Sequence, residues 1–140
     1  MLEKAIELAL KYHKGQIKNG TGEEFIIHVL RVMMKMDTEE EKISAVLHDI
    51  IEKTNCTLED LKQQGFSNKI INTVDALSKR KGEDYSDYIK RVIKDPAAIK
   101  IKIADLEDNM DIRNIRELTQ VDIEKMNRRK KYYRELKNLL

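Results

Sequence analysis

Apolar residues recur at helical spacing along most of the chain, and this pattern constrains the fold more than any other feature. The first stripe begins at Leu2 and continues four, seven and eight residues later. The segment IKIKIA alternates like a strand, but Ile99, Ile103 and Leu106 recur at helical spacing, so we expect a helix there too. Pro96, the only proline, precedes that segment and fits the first turn of a helix. The sequence therefore predicts an all-α protein.

Capping residues and polar breaks divide this pattern into separate helices. Thr38 and Glu41 form a capping-box pattern that opens a third helix, which we expect to run to about Lys53. Thr57 and Ser67 are expected to open the next two helices, and the polar stretch SKRKGED ends the second of these. The last helix is expected from about residue 121, with one apolar side formed by Met126, Tyr133, Leu136 and Leu140. We predict a single-domain bundle of about seven to eight helices over residues 1–140.

The composition excludes several classes of protein. The chain has 140 residues, of which 41% are apolar and 37% charged, with a net charge of +2, so a nucleic-acid wrapping protein is not expected. Cys56 is the only cysteine, which favours a reducing compartment. The start, MLEKAIELAL, is too short and too acidic for a secretory signal, and no apolar run approaches the roughly 20 residues of a membrane span. We expect a cytoplasmic protein without a membrane partner, and its oligomeric state stays open.

The stretch AVLHDIIEKT brings a histidine, an aspartate and a glutamate together. On one continuous helix, His48, Asp49 and Glu52 fall on the side opposite the apolar residues, with Glu52 one turn beyond the other two. Such a face is usually solvated, and Asp49 with Lys53 has the spacing of an ordinary i, i+4 ion pair. The stretch alone therefore does not establish a site.

Other residues that can bind a metal occur on neighbouring predicted helices. His28 lies among large apolar residues in FIIHVL, and Asp105 lies off the apolar stripe in KIADLEDNM, on the same face as Asn109. Each of these alone is more typical of a core histidine or a solvated carboxylate. Two histidines and two aspartates from three helices would together form a nitrogen and oxygen shell. Such a shell suits Mn²⁺, Fe²⁺ or Zn²⁺ better than Ca²⁺.

Three sequence blocks occur in the order YHKGQIKNGTGEEFIIH, AVLHDIIEKTNCTLEDL and KIADLEDNM. They resemble the HD-domain phosphohydrolases, and most closely the hydrolase domain of the Rel/SpoT alarmone enzymes and their small stand-alone relatives, over roughly residues 5–110. The resemblance implies an HD-type helical domain and a cytoplasmic hydrolase of the stringent response that acts on (p)ppGpp. It also implies residue roles: metal ligands His28, His48, Asp49 and Asp105, usually for Mn²⁺; the catalytic residue Glu52; and substrate-binding Lys18 and Asn109.

The chain departs from the family pattern at two charged positions. The family has Glu-Asp where this chain has Glu52 and Lys53, and Arg-Leu-His-Asn-Met-Arg where it has LEDNMD, so Asp111 replaces an arginine expected near phosphate. Lys53 would then either bind substrate phosphate or pair on the surface with Asp49 or Glu59. The expected activity is (p)ppGpp 3′-pyrophosphohydrolase. The alternatives are a nucleotide or cofactor phosphomonoesterase and a nucleotide-binding sensor without catalysis. We expect no synthetase half.

The last predicted helix carries a second candidate binding feature. Its segment NRRKKYYREL combines five basic residues with two tyrosines, a combination that can bind nucleic acid. A solvated basic face with Tyr133 packed on the core explains the same pattern, because basic residues late in a helix also suit its dipole. The near-neutral net charge argues against a nucleic-acid partner.

Overall fold

The computed structural model describes all 140 residues and confirms the all-helical prediction. The helices are α1 (Leu2–Tyr12), α2 (Phe25–Met34), α3 (Glu39–Val46), α4 (Ile50–Lys53), α5 (Leu58–Gln63), α6 (Asn68–Ala76), α7 (Tyr85–Val92), α8 (Pro96–Asn109) and α9 (Gln120–Lys137). The one extended pairing is an isolated antiparallel bridge between Ile17 and Glu24, which closes the loop between α1 and α2.

Side-chain caps begin several helices where the sequence predicts them. The Thr38 hydroxyl accepts the Glu41 amide at the start of α3, and Thr57 forms a capping box at the start of α5. The Ser67 hydroxyl caps α6 in the same way. Pro96 occupies the first turn of α8, which includes the ambiguous segment IKIKIA. These boundaries depend on local hydrogen bonds, and so they can be predicted from short stretches of sequence.

The predicted third helix is wrong in one respect, because it is divided into α3 and α4. In a continuous helix the Ala45 carbonyl would accept the amide of Asp49. It instead accepts the His48 amide at 3.2 Å and the His48 Nδ1–H at 2.6 Å. The resulting turn places His48 in the interior, where it is 2% exposed, rather than on the solvated face that the continuous helix predicted.

Helix α8 lies at the centre of the bundle. It packs against α2, α3, α6, α7 and α9, and a single cluster of 29 buried apolar residues surrounds it. Three charged residues of α8 are also buried, namely Lys102, Asp105 and Asp108. Because buried charges are costly unless they are paired, Asp105 and Asp108 contact residues of α2, and Lys102 pairs with Asp105 on the same helix.

The packed face of α9 differs from the prediction. Tyr132 and Leu136 are buried, Tyr133 is only partly buried, and Leu140 is 74% exposed. Thus Tyr132, rather than Tyr133, anchors the helix on the core. None of the nine helices combines the length and apolar character that crossing a bilayer requires. The assignment of residues 1–140 to one HD-type domain stays a prediction.

Candidate functional site

Four predicted site residues meet at the centre of the bundle. His28 comes from α2, Asp105 from α8, and His48 and Asp49 from the turn between α3 and α4. One ligand atom from each lies within 4.8 Å of the others. His28 Nε2 is 3.0 Å from Asp105 Oδ1, and His48 Nε2 is 3.0 Å from Asp49 Oδ2. The structure therefore brings together residues that are as many as 77 positions apart in the sequence.

Both imidazole rings are oriented by a hydrogen bond from Nδ1. In His48, Nδ1–H donates to the Ala45 carbonyl at 2.6 Å. In His28, Nδ1–H donates to Asp108 Oδ2, also at 2.6 Å. A carbonyl or carboxylate oxygen can only accept, so Nδ1 carries hydrogen in each ring. The two Nε2 atoms consequently face the same space as the Asp49 and Asp105 carboxylates.

The charges of this cluster are balanced internally. Burial disfavours the charged imidazole of His28, but hydrogen bonds to Asp105, Asp108 and Asp49 outweigh it and raise its pKa to about 11. Burial also opposes charge on His48, yet Asp49 and Asp105 raise its pKa to about 10. Burial alone would raise the pKa of Asp105, but Lys102, which donates to Asp105 Oδ2 at 2.9 Å, and the two histidines lower it. Without a metal, protons on the imidazoles offset the two carboxylates.

The spacing of the four donors suits one divalent cation. Adjacent donors in an octahedral shell with a radius of about 2.1 Å lie roughly 3 Å apart. Three nitrogen–oxygen separations in the cluster are 3.0–3.2 Å, and the His28 Nε2 to Asp49 Oδ2 separation is 3.6 Å. Cation binding requires neutral imidazoles, so it would displace their Nε2 protons. The buried His and Asp cluster could therefore hold a metal ion.

Glu52 and Lys53 lie at the edge of the same pocket. Glu52 Oε1 accepts the Lys79 amide at 3.0 Å, and Glu52 Oε2 lies 3.5 Å from Lys53 Nζ. The sequence predicts Asp49 or Glu59 as surface partners of Lys53. The structure pairs it with Glu52 instead, at the edge of the pocket.

The pocket above the cluster is strongly cationic. Lys18 and Asn109 line it, and Asn109 Nδ2 donates to Asp105 Oδ1 at 3.2 Å. Seven basic side chains line the pocket against three carboxylates. The basic residues are Lys18, Lys53, Lys79, Lys102, Lys125, Arg128 and Arg129. Such an excess of positive charge favours a ligand with several negative charges.

Sequence analysis missed several of these residues. The sequence predicts that Arg128 and Arg129 face bulk water or nucleic acid and assigns no role to Lys125, whereas all three residues line the pocket. The sequence analysis also assigns no role to Asp108, although it lies three residues after Asp105 and therefore near it on a helix. Lys102 precedes Asp105 by the same interval. Helical spacing from an identified ligand would have signalled the last two residues.

Comparisons with known proteins give consistent similarities. The chain is 32% identical over 121 residues to a guanosine-3′,5′-bis(diphosphate) 3′-pyrophosphohydrolase of Aquifex aeolicus. It is 31% identical over 125 residues to the bifunctional (p)ppGpp synthase/hydrolase SpoT of Escherichia coli. Each alignment covers 78% of this chain and 17% of the relative, so the chain spans about one-sixth of the length of these curated proteins. No family model matches the chain.

A solved structure shares the fold. It is a metazoan orthologue of SpoT that hydrolyses ppGpp, and it superposes with a TM-score of 0.75 at 22% identity. The match covers 99% of this chain and 82% of that chain. The helical bundle is therefore the fold of that hydrolase.

Proposed function

Because the chain is related in sequence and in fold to the HD-type hydrolase domains of the Rel/SpoT enzymes, we propose that it is a metal-dependent (p)ppGpp 3′-pyrophosphohydrolase. The relationship confirms the resemblance that the three sequence blocks indicate. One observation carries the proposal for this chain: four side chains that could hold a metal ion converge, and three of them line a pocket with seven basic residues. The arrangement suits a nucleotide with more than one phosphate group.

The buried cluster provides the metal-binding half of the proposed reaction. A divalent cation held by the four side chains would polarise a phosphorus–oxygen bond and lower the pKa of a bound water. The shell of two nitrogens and two carboxylate oxygens supports Mn²⁺, with Fe²⁺ or Zn²⁺ as alternatives. His28 and His48 present Nε2 to this cation because their Nδ1 hydrogens are already donated.

Glu52 is the proposed general base. Its carboxylate lines the pocket and is held by the Lys79 amide, so it is positioned to orient a water and accept its proton. The water oxygen would bond to the phosphorus attached to the ribose 3′ oxygen. The bond from that phosphorus to the 3′ oxygen would break, releasing pyrophosphate, and the 3′ oxygen would take up a proton.

The cationic residues of the pocket would bind the phosphate groups of the substrate. Lys79 approaches from the loop before α7, and Lys125, Arg128 and Arg129 approach from α9. Charge-assisted hydrogen bonds from such residues to phosphate oxygens are among the stronger polar interactions in proteins. We assign Lys18 and Asn109 to the nucleoside side of the pocket, as the family resemblance implies.

Lys53 supports a second candidate function. It replaces the second acidic residue of the family pattern and, being charged, cannot act as a base. In the pocket its ammonium is suited to bind phosphate instead. A pocket with one base and an added cation is also compatible with phosphomonoester hydrolysis of a nucleotide or cofactor, or with nucleotide binding alone. A nucleotide substrate also agrees with the expected cytoplasmic location.

The proposal is tested by product analysis. The purified chain, supplied with Mn²⁺ and ppGpp, is expected to release pyrophosphate and GDP. Asp105→Asn should lose more than the roughly 10- to 100-fold typical of residues that only support a metal ligand. Asp87→Asn is the matched control, because Asp87 lies outside the pocket and contacts only Lys90.

Each alternative has its own product. Inorganic phosphate released from nucleotide monoesters, with ppGpp left intact, would favour the phosphomonoesterase. Bound ppGpp without product would favour the sensor. Equal activity in wild type and Asp105→Asn would contradict every metal-dependent version of the proposal.

A further inference from the structure

His28 is the one proposed metal ligand with a carboxylate at each ring nitrogen. Its Nε2 lies 3.0 Å from Asp105 Oδ1, and its Nδ1–H donates to Asp108 Oδ2 at 2.6 Å. Asp108 is 7% exposed and is not among the four converging donors. The proposed hydrolysis uses no atom of Asp108, so the burial of this carboxylate beside His28 requires another explanation.

Asp108 determines which nitrogen of His28 is available. Because a carboxylate only accepts hydrogen bonds, Nδ1 keeps its hydrogen, and the Nε2 lone pair of the neutral ring is free for a cation. A negatively charged acceptor also makes the imidazole a stronger donor to metal. His48 differs, because its Nδ1–H donates to the uncharged Ala45 carbonyl. The two imidazoles thus share an orientation, but only His28 has a charged partner behind it.

Arg31 fixes the position of Asp108. Its Nε donates to Asp108 Oδ1 at 2.6 Å, and its Nη2 donates to Asp108 Oδ2 at 3.0 Å. Two parallel bonds of this kind define the plane of a carboxylate. The same guanidinium donates through Nη1 to Glu23 Oε2 at 3.0 Å, which anchors it to the loop before α2. The Arg31 charge also offsets a buried carboxylate that would otherwise be costly.

We propose that Asp108, held by Arg31, is a positioning residue for His28 and raises the affinity of the site for its divalent cation. This inference rests on the proposed function, since it requires the four-residue cluster to bind metal. It adds a third carboxylate to the electrostatics of the cluster without adding a ligand. The metal affinity of this chain therefore depends on a residue outside its ligand set.

The test is a titration of the metal-free full chain with Mn²⁺ alone, with free Mn²⁺ followed by electron paramagnetic resonance. Asp108→Ala should weaken the Kd by about 10- to 100-fold. Asp108→Asn keeps the size of the side chain and an oxygen that can accept a hydrogen bond from Nδ1. Its Kd should therefore lie between those of the wild type and Asp108→Ala. Saturating Mn²⁺ should restore most of the kcat of Asp108→Asn, which a damaged fold would not allow.

Asp111→Ala is the matched control, because Asp111 follows the same helix and pairs with Arg113 without contacting His28. Its Kd should equal that of wild type. Thermal unfolding in EDTA identifies a variant that fails to fold. If Asp108→Ala does not fold, Asp108→Asn tests the inference, and its affinity for Mn²⁺ should be about fivefold or more weaker than that of the wild type. Wild-type affinity in the folded Asp108 variants would overturn the inference and leave the proposed function intact. Failure of the wild type to bind Mn²⁺, Fe²⁺ or Zn²⁺ would overturn both.

Discussion

The floor of the pocket pairs its charged groups with one another, whereas the wall leaves its cations without ion-pair partners. The floor consists of His28, Asp49 and Asp105, which line the pocket, together with His48, which is buried in contact with both aspartates. Its acidic and basic groups lie within 3.0–3.6 Å of one another. The wall consists of Lys18, Lys79, Lys125, Arg128 and Arg129, and none of these five forms an ion pair with a carboxylate within 4.0 Å. Under the proposed function, the floor would exchange its imidazole protons for a cation, and the unpaired cations of the wall would bind the phosphate groups of the substrate.

Glu52 lines the same pocket, and removing its carboxylate should lower kcat more than any other change considered below. Glu52→Gln keeps the size of the side chain but removes the proposed base, so kcat should fall by about 10²- to 10⁴-fold. Mn²⁺ affinity should not change, because Glu52 is not among the four converging donors. Steady-state kinetics with ppGpp and a Mn²⁺ titration measure the two quantities separately.

Glu59→Gln is the corresponding control on the exposed surface of α5. It should leave both kcat and Mn²⁺ affinity at wild-type values. If Glu52→Gln retained full kcat, another group would have to take the proton, and the assignment of Glu52 would be wrong.

The wall is tested by two lysines of α9, and a smaller effect is expected. Lys125 lines the pocket, whereas Lys130 is exposed and does not. Lys125→Gln should raise the KM for ppGpp about tenfold with little change in kcat, because a charged hydrogen bond is worth about 1.5–3 kcal/mol and acts on binding. Lys130→Gln should leave KM unchanged. An equal change in both variants would show that the helix acts only through its overall charge.

The smallest expected effect concerns Glu83, in the loop that also carries Lys79, and it is a change in the free energy of unfolding at acid pH. Arg91 donates two hydrogen bonds to Glu83, and together with the Arg80 amide it lowers the pKa of Glu83 from 4.5 to about 2. A carboxyl with a lowered folded-state pKa stabilises the protein fully above its unfolded pKa and loses that contribution as pH falls. Urea midpoints between pH 4.5 and 2 should therefore decline more steeply for wild type than for Glu83→Gln. Parallel declines would contradict this role for Glu83.

Much of the fold could be predicted from the sequence because its signals are local. Thr57, Ser67 and Pro96 begin helices through bonds or steric limits within one turn. The division of the third helix could not be predicted in this way. It arises because the His48 side chain takes the Ala45 carbonyl and turns into a core formed by distant segments.

The residues of the site also differ in whether local sequence or tertiary packing determines their positions. The floor residues lie within three recognisable blocks, so the sequence alone selects the four residues that the structure brings together, even where a continuous helix misplaces His48. The wall depends on how α9 packs across α8, which spacing within α9 does not determine. Arg128 and Arg129 therefore have the same sequence pattern whether they face water or the pocket. Asp108 is intermediate, because its helical spacing from Asp105 indicates proximity but not its contact with His28.

The central claim is that four side chains from distant parts of the chain bind one cation. Anomalous scattering from crystals grown with Mn²⁺ tests it most directly, because the ion itself is located. We predict one strong peak bounded by His28 Nε2, His48 Nε2 and carboxylate oxygens of Asp49 and Asp105. A fully occupied Mn²⁺ peak elsewhere, with these four side chains still paired only to one another, would contradict the account.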